Sequence, residues 1–435
     1  MSKGQKLYKK AKKIILGGNM LLSKRPEMFL PNLWPAYFSK SKNIYVWDLN
    51  GKKYIDMIFA VGQSILGYSN HKLNNKIVRS INLGNMTTLN CPEEVELTKR
   101  LVSLHPWAQM AKYARSGGEA NALAVRIGRA ASGKDGVAIC GYHGWHDWYL
   151  SVNLNGKNKL SKHLLAGLEP TGVPKVLKNT VYPFNYGNLK ELERIIKNKK
   201  VGVIKMEVAR TELPDIKFLK KVRQLANKNK IVLIFDECTT GFRRNLGGLH
   251  MNYKVYPDLA MFGKALGNGF AITSVLGKKS IMKKAEKSFI SSTFWTERTG
   301  FVAGLETLKL MNKYKSWKII IKNGQYFNKE IRKIALKYNL KLEIFGIESI
   351  TSFTFFSKKN AAYKTIITQE MLKKNYLASN QIFLSIYHSK KIIDKYITNL
   401  DPIFKKISFF EKNNIDAKNF LKSEICHQTF KRLIY

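Results

Sequence analysis

The chain has 435 residues, 45% hydrophobic and 24% charged, which is too apolar for a disordered chain and too long for one ordinary core. Lysine and arginine number 75 against 30 acids, a formal charge of +45, but they are spread along the whole chain and show no interleaving of aromatics with arginines. The excess therefore reads as a compositional habit of a lysine-, asparagine- and isoleucine-rich chain, and no nucleic-acid partner is expected. No run of about 18 uncharged apolar residues occurs, and Ile14-Ile15-Leu16 is too short for the core of a secretory signal, so no membrane segment is expected. Cys91, Cys140, Cys238 and Cys426 lie far apart without a CxxC pair, which argues against disulfides and zinc and for a cytoplasmic protein.

In chain order, a helix is predicted over Gln5–Ile15 and ends at Gly17-Gly18. Two β-like runs, Asn43–Asp48 and Lys53–Met57, flank the hairpin signal Asn50-Gly51. From residue 93, predicted helices (Glu93–Leu104, Glu119–Ala131, Leu189–Asn198, Ile216–Asn229) alternate with short apolar strands. The strands are Gly136–Cys140, Val201–Met206, Ile231–Phe235, Leu259–Phe262 and Ile272–Leu276. This alternation predicts an α/β architecture: a mainly parallel sheet flanked by helices, with ligands held at the carboxyl ends of its strands. A long basic helical region, Lys315–Tyr338, and strands Lys341–Phe345 and Ile350–Phe356 then begin a smaller α+β domain. The expected organisation is residues 1–60 packing with the small domain, a large ligand-binding domain over 61–314, and a small domain over 315–435 ending in a basic tail.

Ser116-Gly117-Gly118-Glu119 opens a helix whose apolar positions Ala120, Leu123, Ala124, Ile127 and Ala131 share one face. Glycines there admit a phosphate to the helix N-terminus, although a plain cap is the commoner meaning. Gly128–Lys134 resembles a P-loop but closes a helix and lacks the terminal Ser or Thr, so Gly133 reads as a C-cap. Tyr142-His143-Gly144 follows a strand, where the aromatic could cover a planar ligand. His143, His146 and Asp147 lack the further ligands a metal site needs. The strongest signal is Asp236-Glu237 at the end of a buried strand, followed by Lys264 before the Gly267-Asn268-Gly269 turn. A lysine in an apolar setting becomes nucleophilic, and an aspartate can keep a cofactor's pyridine nitrogen protonated; a buried salt bridge explains the pair equally well.

Taken in order, Ser116–Ala120, Tyr142–Gly144, Met206-Glu207, Phe235–Glu237, Gly263-Lys264 and Ser292–Glu297 resemble the class III (fold type I) aminotransferases that use pyridoxal 5'-phosphate (PLP). Within that family the residues are most similar to glutamate-1-semialdehyde aminomutase and its aminotransferase relatives, over roughly residues 5 to 410. The resemblance implies a fold type I enzyme in which Lys264 carries PLP as a Schiff base and Asp236 pairs with the pyridine nitrogen. It also implies that Ser116, Gly117 and Gly118 bind the phosphate, Tyr142 stacks on the ring, Glu207 sits beside it, and Cys238 lies beneath it, where packing is its commoner role. Thr293 would reach the phosphate of a neighbouring subunit, implying a homodimer with shared active sites.

Departures fall near the substrate. Gly118 replaces a threonine, Val208 replaces the proline after the glutamate, and Phe294-Trp295-Thr296-Glu297-Arg298 replaces a small polar stretch. Asn19-Met20-Leu21 replaces the Val-Asn-Ser that follows Gly-Gly in the aminomutase. Arg210, Arg243, Arg244 and Arg298 are candidate carboxylate or phosphate anchors, and Trp295 a candidate pocket wall. The expected activity is transamination between small amines and carbonyl compounds with an unidentified acceptor. The alternative is the intramolecular transfer that makes 5-aminolevulinate. More distant is a basic nucleic-acid-binding chain on an inactive scaffold, which retention of both Lys264 and Asp236 argues against.

Overall fold

The computed structural model describes residues 1–156, 159–160, 168–209 and 213–428. Two compact units divide the chain: residues 1–70 with 318–435, and residues 71–317. In chain order the strands are β1 (Phe38–Lys42), β2 (Tyr45–Asp48), β3 (Lys53–Asp56), β4 (Met110–Ala114), β5 (Gly136–Cys140), β6 (Val181–Pro183) and β7 (Val201–Glu207). They continue with β8 (Val232–Asp236), β9 (Leu259–Phe262), β10 (Thr273–Gly277), β11 (Leu342–Phe345), β12 (Ile350–Phe355), β13 (Tyr376–Leu377) and β14 (Gln381–Phe383).

The unit of residues 71–317 is built on one seven-stranded sheet, in the order β4-β10-β9-β8-β7-β5-β6. All its strands run the same way except β10, which is antiparallel to both neighbours. Strands β5, β7, β8, β9 and β10 are buried along their whole length, as expected of a sheet covered on both faces. The helix Gly117–Ser132 starts on a reciprocal capping box between Ser116 and Glu119 and ends at Gly133 in the left-handed conformation. It packs across β4 and β7 to β10 through Ala120, Leu123, Ala124 and Ile127. Gly128 lets it lie close, because a β-carbon there would sit 2.8 Å from Val203 Cγ2.

The other unit holds two small sheets, β1-β2-β3-β13 and β11-β12-β14. Helices Ser316–Lys337, Asn360–Lys373 and Lys390–Lys412 accompany them, the first crossing the boundary between the units. Gly51 takes a positive φ between β2 and β3, as the hairpin signal requires. Beyond Lys412 the chain keeps packing: Phe420 lies 4.6 Å from Phe410 between ring centroids, and buried Cys426 donates its N–H to Thr365. After β3, Phe59, Ala60, Val61 and Gly62 all adopt left-handed backbone angles. Asp56 holds this turn, accepting the N–H groups of Ile58 and Phe59 and the Tyr68 hydroxyl.

Five strands were not expected: β1, β4, β6 and the short β13 and β14. β1 is largely exposed and lysine or serine at four of its five residues, β4 carries alanines and a lysine, and β6 has three residues and ends in Pro183. Each owes its strand state to a neighbour's hydrogen bonds rather than to its own pattern.

Gly128→Val should lower stability by about 1–3 kcal/mol, read from denaturant unfolding, because Val203 is stiff and the helix must lift. Two buried histidines, one in each unit, set an acid limit. Burial pushes both His105 and His388 down to about 4, so both stay neutral in the fold. Unfolded histidine binds protons below about 6.5, so each costs stability at about 1.4 kcal/mol per pH unit as pH falls from there toward 4. Melting temperatures recorded over that window should fall accordingly, and His388→Gln should make the fall shallower.

Candidate active site

The carboxyl ends of the parallel strands converge on one cluster within residues 71–317. β8 ends in Asp236, whose register partner on β7 is Glu207. Asp236 is almost fully buried, and its Oδ2 accepts from His143 Nδ1 at 2.9 Å and faces Lys205 Nζ at 3.6 Å. Its Oδ1 accepts the Cys238 N–H at 3.1 Å. Burial opposes the charge, but the Lys205 ammonium and the His143 bond outweigh it and carry the carboxyl well below the usual range. The His143 Nδ1 must carry a proton to serve this carboxylate.

The next acid does different work. Glu237 accepts the backbone N–H of His250 at 2.9 Å, its Nδ1–H at 2.8 Å, and the Thr240 hydroxyl. Trp107 donates to the other nitrogen of His250 at 2.9 Å, which sets the neutral tautomer. Consecutive strand-end side chains point oppositely, so Asp236 is left to the site and Glu237 to the core.

Lys264 follows β9 at φ +37°, a left-handed angle that costs a residue with a side chain about 1–3 kcal/mol. Gly263 precedes it, where a β-carbon would lie 3.1 Å from Thr273 Cγ2 and 3.3 Å from Cys238 Sγ. The strained turn delivers Lys264 Nζ to Thr239 Oγ1 at 2.6 Å. Desolvation pushes the Lys264 ammonium below its ordinary value, against the pull of Cys238 and Glu207. Burial pushes the Cys238 thiol up, so it stays neutral.

The helix N-terminus closes another side. Gly117 and Gly118 offer N–H groups that take no partner among the described residues, at the positive end of a sixteen-residue helix. A β-carbon on Gly117 would meet nothing nearer than Cys238 Sγ at 4.0 Å, so this end is open toward Cys238. Gly118 has no such room: His146 lies 2.9 Å from where its β-carbon would be. Tyr142 donates its N–H to Glu207 Oε2 at 3.1 Å and is itself 42% exposed. Gly141 is required beside it, since a β-carbon there would lie 2.5 Å from Glu207 Oε2.

Ser116, Gly117, Gly118, Tyr142, Glu207, Asp236, Cys238 and Lys264 are thus linked by contacts into one cluster. Trp295 touches its rim: the indole N–H donates to Glu119 Oε1 at 3.1 Å. Arg115 holds the same segment by the carbonyls of Phe294, Trp295 and Glu297. Thr293 is exposed, on the turn Thr293–Thr296. Arg298 is already committed to both oxygens of Glu93, at 3.0 and 2.7 Å, which removes it as an anchor. Arg243 is wholly buried, donates to the Thr239 carbonyl and is pushed down to about 9 by burial; Arg244 is half-buried. Arg210 lies outside the described residues. No group of three potential metal ligands occurs among the described residues.

Sequence reasoning missed Lys205, Thr239 and Arg115. Lys205 left a signal, as the one charge among apolar neighbours inside a buried strand. Thr239 and Arg115 left none, because their partners are distant in the chain.

The donors suit a flat, phosphate-bearing cofactor with a basic ring nitrogen. A helix N-terminus carries unused N–H groups, a buried carboxylate is held ionised, and a lysine of reduced basicity stands beside a neutral thiol.

Residues 31–433 match the class-III aminotransferase family, and the chain belongs to it. It is a fold type I enzyme and uses pyridoxal phosphate. The chain is 31% identical over 398 residues to 3-aminobutyryl-CoA aminotransferase of Cloacimonas acidaminovorans, covering 89% of this chain and 91% of the relative. It is 28% identical over 435 residues to glutamate-1-semialdehyde 2,1-aminomutase of Methanococcus maripaludis, covering 94% and 99%. A solved PLP form of the FumI protein of Sphingopyxis sp. MTA144 shares the fold at TM-score 0.85 and 20% identity, over 97% of this chain and 98% of that one. No described helix is long and apolar enough to cross a membrane.

Asp236→Ala in the cofactor-free protein should cost about 3–5 kcal/mol, because it strands the Lys205 ammonium in an apolar interior. Adding Lys205→Met to the same chain should recover most of that loss in denaturant unfolding.

Proposed function

We propose that this enzyme is a transaminase, moving an amino group between two small molecules, and that the cluster around Lys264 and Asp236 is its active site. The observation that carries this reading is a desolvated lysine amine, delivered by a strained turn, beside a carboxylate kept ionised by two cationic or donor groups. Bound PLP supplies an electron sink for the pair left behind when a proton leaves the amine-bearing carbon.

The chain's residues do the rest. Gly117 and Gly118 N–H groups and the dipole of their helix hold the phosphate, with the Ser116 cap fixing their direction. Asp236 would pair with the ring nitrogen and hold a proton there. Tyr142 and Cys238 would pack against the ring, and Glu207, fixed by the Tyr142 N–H, would stand beside it. Lys264 Nζ would hold the cofactor and would serve as the base that moves the proton at the amine-bearing carbon. The Thr239 hydroxyl aims that nitrogen. Thr293, exposed on its turn, would reach the phosphate of a second copy in a homodimer with shared sites. Trp295, fixed to Glu119, would bound the space for a larger substrate, and Arg210 and Arg244 stand as candidates for its acidic group.

The relative that acts as 3-aminobutyryl-CoA aminotransferase supports transfer between molecules. The aminomutase relatives support a second reading, in which one molecule gives and receives the group. One comparison separates the readings. Holoenzyme is mixed with glutamate-1-semialdehyde and no 2-oxo acid, and separately with amino donors and no acceptor. Conversion of a donor to its oxo product in one equivalent per site, without catalytic formation of 5-aminolevulinate, is the result expected; many turnovers to 5-aminolevulinate would establish the aminomutase instead. Lys264→Ala should reduce either conversion by at least about 10²-fold.

A further inference from the structure

Lys205 touches the scheme above only through Asp236, yet it is a cation buried completely beside it. It sits in β7 among Val203, Ile204 and Met206 and is 0% exposed. Its ammonium faces Asp236 Oδ2 at 3.6 Å and the Met261 thioether at 2.9 Å, a weak acceptor. A buried ammonium with one carboxylate partner costs several kcal/mol in desolvation, and an apolar residue would pack a covered strand more cheaply. What Lys205 does accomplish is visible at Asp236. The carboxylate has Lys205 and His143 on Oδ2 and the Cys238 N–H on Oδ1, so its pose is fixed and its charge is shared.

We propose that Lys205 is a positioning residue acting through Asp236: it locks the carboxylate in place and draws off part of its negative field, so that the ring nitrogen of bound PLP releases its proton more readily than it would opposite an unshared aspartate. This rests on the reading that Asp236 faces the ring nitrogen. The charged and titratable groups around the pair are Tyr142 and His143 from the loop after β5, Glu207 on β7, Cys238 after β8 and Lys264 after β9. Among them Lys205 alone is a cation in direct reach of Asp236 within a strand. Burial pulls Lys205 toward the neutral form and Asp236 pulls it back, so the pair hold each other charged.

The test uses holoenzyme loaded with PLP labelled with ¹⁵N in the ring. The ¹⁵N shift is followed across the pH range in which the protein stays folded, for wild type, Lys205→Met, Lys205→Gln and Asp236→Asn. Both Lys205 variants should move the midpoint for loss of the ring proton up by about one pH unit, since a nearby cation has gone. Tighter retention of PLP on dialysis should accompany the shift. Gln keeps a donor without the charge, so it answers the question even if Met disturbs packing. A ring nitrogen that stays protonated throughout in wild type, or a midpoint unmoved in both Lys205 variants, overturns the proposal. If Asp236→Asn also leaves the nitrogen unchanged, the failure lies in the assignment of Asp236 itself; if that variant alone deprotonates the ring, only the role of Lys205 has failed.

Discussion

A carboxylate buried at the end of a central strand constrains everything around it. Asp236 cannot remain charged there without compensation, and β7 and the loop after β5 supply it as Lys205 and His143. That compensation dictates backbone detail. Gly141, at φ +115°, must be glycine beside Glu207, and a β-carbon at Gly263 would crowd Thr273 and Cys238. The left-handed strain at Lys264 is held by the buried turn that follows, where Gly267 lies against the Phe270 carbonyl. The result is a cation, an anion and a neutral thiol fixed side by side before any ligand arrives, so little reorganisation remains for the chemistry.

The same economy of acids runs through the chain. With 30 carboxylates against 75 cations, the acids cannot balance the charge of the surface. Many of them are joints. Asp258 takes Arg223 and Lys278 at 2.8 Å each, Glu93 takes Arg298, Glu237 takes His250 and Asp56 holds a left-handed turn. Surplus lysines instead lie over aromatic rings, as Lys53 does over Tyr45 at 3.8 Å and Lys40 over Trp47 at 4.8 Å. Cation–π contact of this kind is a modest outlet for charge at exposed sites and asks for no polyanionic partner.

Glu119 links the phosphate end of the site to its rim. It caps the helix through Ser116, accepts the Arg115 N–H and receives the Trp295 indole. Arg115 then grips the carbonyls around Trp295. The segment that departs most from the family pattern is therefore tied directly to the helix that would hold the phosphate. Altered substrate contacts at Trp295 and cofactor geometry at Gly117 share one scaffold.

Much was legible in the chain itself. The buried runs that became β5, β7, β8, β9 and β10 declared a covered parallel sheet, because such strands have no polar face to show. The Ser116–Glu119 cap and the Gly133 stop were readable for a similar reason: capping and C-terminal turns are local and leave local patterns. The salt bridge that could have explained Asp236 and Lys264 did not form: Asp236 pairs with Lys205 and His143, and Lys264 donates to Thr239. Strands β1, β4, β6, β13 and β14 were hidden, since their state comes from a neighbour. Arg298 could pass for an anchor until Glu93, 205 residues earlier, was seen to hold it. The sequence by itself determined which chemistry is possible, because reactive residue types and the strands that end in them are written in order along the chain. Only the tertiary structure decided how that chemistry is tuned. The fields acting on Asp236 and Lys264 come from Lys205, His143 and Thr239, whose proximity depends on which strands lie side by side and not on spacing along the chain.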